Sequence, residues 1–200
     1  MTTFVPSAPT RLPGIAIIVT MITLVAIDGL NLSTGGLDNT VFSMCKDGSD
    51  YVFTFSVADA TPCSLPQTSS KRDLEREDRV ELYFSPTADL SKPYYCAEID
   101  PLGRVLDYRA AYYRDFDFSW GFTTLRTTHA RTATGYRIEC RIARAELDSL
   151  EIPETSFHMG VFRADLDESG NLVAWGSMTP MNDPPDFHRP CMFSRIKMPS

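Results

Sequence analysis

The residues with the clearest chemical potential are Glu81 and Glu98, each on the polar side of a short alternating run. In 79–84 (RVELYF), Val80, Leu82 and Phe84 share one face, while Arg79, Glu81 and Tyr83 share the other. In 93–100 (PYYCAEID), Tyr95, Ala97 and Ile99 oppose Tyr94, Cys96, Glu98 and Asp100. Two carboxylates on neighbouring strands admit three readings. At a separation of about 5–5.5 Å they match the acid and nucleophile of a retaining glycosidase. Beside flat aromatic rings and guanidinium groups they hold the hydroxyls of a sugar. Paired with arginines they form a solvated ladder worth about 0.2–1 kcal/mol per pair. Arg79, Arg109 and Arg163 are the candidate cationic partners.

Binding is favoured over turnover, because adjacent strands bring many carboxylates together without catalysis. The sequence contains no Gly-x-Ser-x-Gly, His-Glu-x-x-His, phosphate loop or dinucleotide fingerprint. His129, His158 and His188 are too far apart in sequence to suggest a catalytic zinc site. Two oxygen-rich loops, 47–50 (DGSD) and 165–171 (DLDESGN), offer Asp47, Asp50, Asp165 and Asp167 as calcium ligands. Neither loop has EF-hand spacing, and ordinary turn chemistry accounts for both. No cofactor is required by these residues; calcium is the ion they would suit.

The elements that must position Glu81 and Glu98 are strands. From residue 40 onward, β-rich runs alternate with turn-rich breaks and no helical stripe of useful length intervenes. Runs 40–45 and 51–57 flank a loop whose Asp47-Gly48 step supplies the positive φ of a hairpin. The polar, proline-broken stretch 60–78 reads as a long surface loop, and the polar face of 79–84 reads as wet. Further strands are expected at 104–108, 123–131, 135–143, 157–165, 172–175 and 195–198, with one short helical turn at 145–150. Nine to eleven strands without βαβ units predict an all-β antiparallel β-sandwich, immunoglobulin-like or jelly-roll-like, as a single domain over 1–200. Trp120, within 115–122 (DFDFSWGF), reads as a plug over an open end of the sandwich.

Composition narrows the partners. With 26 acidic against 19 basic residues the net charge is −7, a field that repels phosphate backbones, so nucleic acid is not an expected partner. The apolar run 14–27 falls short of the roughly 20 residues of a membrane span. Arg11 is the only cation ahead of it, so it forms no clear signal peptide, and its β-branched residues suit a buried strand or strand pair. Five cysteines without close spacing indicate neither a disulfide framework nor a zinc site; Cys96 and Cys140 read as small core residues.

Four segments, taken in order over 40–198, resemble the family 9 carbohydrate-binding modules and the wider DOMON-like β-sandwiches. They are 77–84 (EDRVELYF), similar to an acidic strand with an Asp-x-Val-Glu core; 94–103 (YYCAEIDPLG); 135–142 (GYRIECRI) followed by Leu147; and Phe162-Arg163-Ala164-Asp165 with Ala174-Trp175, Thr179-Pro180, Phe187-His188-Arg189-Pro190 and Phe193. Ile27-Asp28-Gly29 matches the usual opening, without the tryptophan that tends to follow it.

The resemblance implies a non-catalytic module that binds carbohydrate, beside or attached to a glycoside hydrolase, in an extracellular or periplasmic setting. It places Trp175, Phe187 and His188 on one rim, near Glu81, Glu98 and Arg163, as ligand contacts; for Trp175, core packing at a strand end is the alternative. The sequence departs from the family at the clamp: 74–76 reads Leu-Glu-Arg where a tryptophan is expected, Phe187 or His188 replaces its partner, and Glu98 stands by spacing where the family has an arginine. Two alternatives follow from that departure. One is a structural or protein-interaction sandwich that has lost the sugar site. The other, with less support, is haem held by His188 and one of Met159, Met178 or Met181.

Overall fold

The computed structural model describes residues 23–31, 40–66, 70–179 and 186–196, with only the backbone described over 23–31. Most of the apolar run 14–27, together with Pro180, Met181 and residues 197–198, lies outside them.

The strands are β1 (Thr23–Asn31), β2 (Thr40–Asp47), β3 (Asp50–Ala58), β4 (Arg79–Ser85), β5 (Tyr94–Ile99), β6 (Val105–Ala111), β7 (Asp115–Asp117), β8 (Arg126–Arg131), β9 (Gly135–Ala143), β10 (Phe157–Leu166), β11 (Leu172–Ser177) and β12 (Ser194–Ile196). A short helix, α1 (Arg144–Ser149), follows β9 and buries Leu147. The described ladders are antiparallel and form two sheets. The first runs β1-β2-β3-β9-β8; the second runs β7-β6-β5-β4-β10-β11-β1, with β12 on the other end of β10. β1 belongs to both: Thr23 to Ile27 pair with β2, and Asp28 to Asn31 pair with β11. One chain segment thus joins the two layers at a corner of the sandwich.

Alternation in the sequence becomes layering in space. Phe42, Phe53, Phe55, Ile138 and Tyr136 from the first sheet meet Val80, Leu82, Phe84, Ile99 and Val161 from the second, all within 3% of full burial. The β2–β3 hairpin turns through Gly48 at φ +62°, as its Asp-Gly step requires. Trp120 is half-buried and packs its ring 4.8 Å from Phe122 and 5.0 Å from Tyr95; Phe122 in turn contacts the main core.

Two expectations are corrected. The polar face of β4 is not wet: Glu81 and Tyr83 are at most 1% exposed, as are Tyr94 and the expected core residue Cys96 beside them on β5. A second apolar cluster covers it, built from Leu74, Tyr83, Tyr94, Tyr108, Phe162, Met192 and Phe193. Alternation alone cannot show this, because it reveals that one face is more polar and not that another segment lies over it.

The second correction concerns 60–78, which is not loop throughout. Lys71–Arg76 forms a 3-10 turn with a reciprocal cap: the Arg72 N–H donates to Ser70 Oγ, and the Ser70 N–H donates to Asp73. That turn lays Leu74, only 1% exposed, onto the second cluster. Asp78 then accepts the backbone N–H groups of Cys63 and Leu166, fastening the stretch to the end of β10.

Candidate functional site

The pairing of β4 with β5 sets Glu81 directly opposite Glu98, so both carboxylates leave the sheet on the same outer face. Arg79, two residues before Glu81, shares that face, and its Nε lies 2.9 Å from Glu81 and 2.7 Å from Glu98. One guanidinium therefore bridges two buried carboxylates. The β6 strand adds Tyr108, whose hydroxyl donates to Glu98 at 2.7 Å and lies 3.1 Å from the Tyr83 hydroxyl. His188, delivered by the segment before β12, sits over this network with Nδ1 3.0 Å from the Tyr94 hydroxyl and Nε2 3.5 Å from that of Tyr83.

Two concavities open above this floor. One, of about 290 Å³, is walled by Phe116, Phe118, Tyr108, Arg72 and Glu75; the other, of about 190 Å³, is walled by Phe187, Leu172, Tyr83 and Glu81. Arg79, Glu98, Arg114 and His188 line both, so they form adjoining parts of one cleft. The aromatic walls are held in place. Phe187 stacks on Phe162 at 4.4 Å and 9°, and the Arg72 guanidinium covers Phe118 at 4.5 Å.

The cleft sets its own protonation. Burial, reinforced by the neighbouring charge of Glu98 and opposed by Arg79, raises the Glu81 carboxyl to about 8, so at neutral pH it keeps a proton and can donate as well as accept. Burial, with the positive charges of Arg114 and Arg79, depresses His188 to about 3. Its ring is therefore neutral, one nitrogen accepting from a tyrosine hydroxyl and the other donating. Oε2 of both Glu81 and Glu98 has no aligned hydrogen-bond donor among the described residues. A hydroxyl-bearing guest thus meets two carboxyl groups bridged by one guanidinium, between flat apolar walls.

These shifts predict an acidic stability optimum. Glu77 and Asp78 behave like Glu81: burial first, then the hydrogen bond with Asp100 for Glu77 and the charges of Asp165 and Asp59 for Asp78, raise them to about 7 and 8. An unfolded chain releases these protons near pH 4–4.5, so from there up to about pH 8 the folded state binds more protons and stability falls as pH rises. His188 acts oppositely, removing stability as pH falls from about 6.5 towards 3. Three carboxyls outweigh one imidazole between pH 5 and 8. Thermal unfolding is expected about 5 °C or more higher at pH 5 than at pH 8; a higher midpoint at pH 8 contradicts the assignment.

The structure separates the sequence-derived site residues into two groups. Glu81, Glu98, Phe187 and His188 come together in the cleft. Trp175 and Arg163 line neither part of it. Trp175, opposite Ala164, shares the outer face by register but is only 1% exposed, so its ring offers no surface for stacking. Arg163, opposite Val80, points to the core side and is also 1% exposed. Its Nη2 lies 3.0 Å from Asp59 and 3.5 Å from Asp165. Arg109 is on the surface, paired with Asp117.

The calcium candidates are likewise spread out. Asp47 pairs with Arg141 and Asp50 with Arg126, while Asp167 accepts the N–H groups of Ser169 and Asn171 within its own turn. Asp165 joins Asp59 and Asp78, with ligand atoms within 4.8 Å of one another, at the place where Arg163 already supplies positive charge. Tyr83, Tyr94, Tyr108, Arg114, Phe116 and Phe118 were not singled out by sequence reasoning. The signal for the tyrosines was present, since alternation puts Tyr83 with Glu81 and Tyr94 with Glu98.

No family model and no curated protein matches the sequence. Solved structures do. A "putative carbohydrate-binding protein" from Bacteroides uniformis superposes with a TM-score of 0.67 at 15% identity, over 87% of this chain and 85% of that one. A family 9 carbohydrate-binding module from Caldicellulosiruptor kristjanssonii in complex with cellotriose gives 0.63 at 16% identity over 96% and 90%, and one from the same organism in complex with glucose gives 0.59 at 17% over 96% and 92%. With the strand order, the paired sheets and the position of the cleft already established, these superpositions show that the chain has the fold of the family 9 carbohydrate-binding modules.

Proposed function

We propose that the chain is a non-catalytic carbohydrate-binding module that takes a saccharide into the cleft above Arg79. The observation that supports this most directly is the bridging of Glu81 and Glu98 by Arg79 at the floor of a cleft whose ends are aromatic. Sugar hydroxyls need donors and acceptors at fixed spacing, and pyranose rings need flat apolar walls. The likeness to modules in complex with cellotriose and glucose adds the same ligand class. The same carboxylates suit catalysis poorly: Arg79 engages both of them, and Glu98 also accepts from Tyr108. Catalysis then belongs to a partner, in keeping with association with a glycoside hydrolase.

The other readings receive less support. Both ring nitrogens of His188 are engaged by tyrosine hydroxyls, which competes with axial ligation of haem. Among the described residues, the exposed large hydrophobic side chains are Val41, Leu102 and Leu172, each on a separate segment, and the single adjacent pair Tyr112 and Tyr113.

Calorimetric titration with glucose, xylose and their β-linked dimers and trimers tests the proposal. Binding that Phe187→Ala weakens roughly tenfold, through loss of one apolar wall, is the expected result. Trp175→Phe, altering a ring that lines neither part of the cleft, is expected to leave affinity within about twofold. Absence of binding to every sugar, or equal sensitivity to both substitutions, refutes the cleft.

A further inference from the structure

We infer that the β6–β7 hairpin tip carries an outer aromatic subsite, with Tyr112 as the platform for a second sugar ring of a chain whose first ring occupies the cleft. This rests on the carbohydrate reading of the cleft and extends it from one ring to an oligosaccharide. Tyr112 and Tyr113 are 51% and 47% exposed, the most exposed large hydrophobic side chains among the described residues, and they are adjacent. Their rings meet edge to face at 5.3 Å.

Tyr113 is held rather than loose. The Tyr113 hydroxyl donates to Asp186, which also accepts from Arg114 and Arg189 at 2.9 Å each and from the His188 N–H at 3.2 Å. The guanidinium groups of Arg114 and Arg189 lie 5.5 and 5.8 Å from the Tyr113 ring centre. Asp186 thereby ties the hairpin tip to the segment that delivers His188 and Phe187. Burial would raise the Asp186 carboxyl, but these hydrogen bonds outweigh it and hold it down to about 2, so the tie persists through the neutral range.

Arg114 connects the tip to the cleft, because its side chain both grips Tyr113 and Asp186 and lines both parts of the cavity. Tyr112 is half exposed, and its one ring contact among the described residues is edge to face with Tyr113. Tyr112 thus packs on an anchored ring two residues from Arg114, and a side chain with few rotamers loses little entropy when a sugar ring stacks on it.

The test measures binding of glucose, xylose and their β-1,4-linked dimers and trimers to the full chain and to the Y112A and Y112W variants. Y112A is expected to weaken the best-bound trimer roughly tenfold while leaving its monomer unchanged, and Y112W to restore or tighten the trimer. Equal loss for monomer and trimer, or no loss for either, overturns the outer subsite while leaving the cleft intact. If the unaltered protein binds none of these sugars, both the subsite and the carbohydrate reading fall.

Discussion

Replacement of Arg79 by alanine is expected to cost about 3–5 kcal/mol of stability and to abolish sugar binding. The expectation follows from what remains. Glu81 is 1% exposed and the Glu98 side chain 7%, and Arg79 is the cation between them. Without it, two carboxyls face each other in a site already dry enough to hold Glu81 protonated at neutral pH. A loss of that size is a large share of the roughly 5–15 kcal/mol that keeps a domain folded, and corresponds to about 6–20 °C in unfolding temperature.

The cause is separable by urea unfolding. Glu81→Gln and Glu98→Gln, added to Arg79→Ala, should recover most of the loss, because neutral amides do not repel. The cost of Arg79→Ala should also shrink at pH 5, where Glu81, raised to about 8 by burial, carries its proton. If the single variant unfolds within about 1 kcal/mol of the parent at pH 8, Arg79 is a surface arginine beside solvated glutamates and the cleft floor has been misassigned.

How much of this floor was legible beforehand depends on the range of the signal. Period-two alternation placed Glu81 with Arg79 and Tyr83, and Glu98 with Tyr94, and those faces are the ones observed. The Asp-Gly hairpin, β9 and the short helix α1 were likewise local patterns with local causes. Strand β7 is three residues long, too short for any periodicity to register. What alternation does not carry is the identity of the segment that lies over a face.

The covering of the outer face by Leu74, Met192 and Phe193 is a tertiary fact, and it converts an expected solvated ladder into a buried charge network. The same limit explains Trp175 and Arg163. Resemblance puts Trp175 at the rim, and Arg163 is offered as a cationic partner of the glutamates; register does put Trp175 on the outer face, but burial removes it from use. Arg163 differs by one residue in phase from Phe162, and in a strand one residue is the difference between a ligand-facing side chain and one pointing between the sheets.

Arg163 accordingly makes a different prediction from Arg79, although the expected loss of stability is similar. It leaves β10 in the second sheet and reaches Asp59, just past β3 in the first, with further contacts to Thr40 and to the Ala58 carbonyl oxygen. Asp78, raised to about 8 by burial, and Asp165 stand beside Asp59. Arg163→Met keeps most of the apolar stem and removes the charge, leaving three carboxyls within 4.8 Å at the seam between the sheets. A cost of about 3–5 kcal/mol is expected at pH 8.

A cycle with Asp59→Asn should give a coupling of at least about 1–2 kcal/mol, since the amide no longer needs the guanidinium. The sugar affinity of Arg163→Met, measured at a temperature where it is fully folded, should match the parent. A variant that keeps its stability and loses its ligand would return Arg163 to the binding face and invert the register assigned to β10.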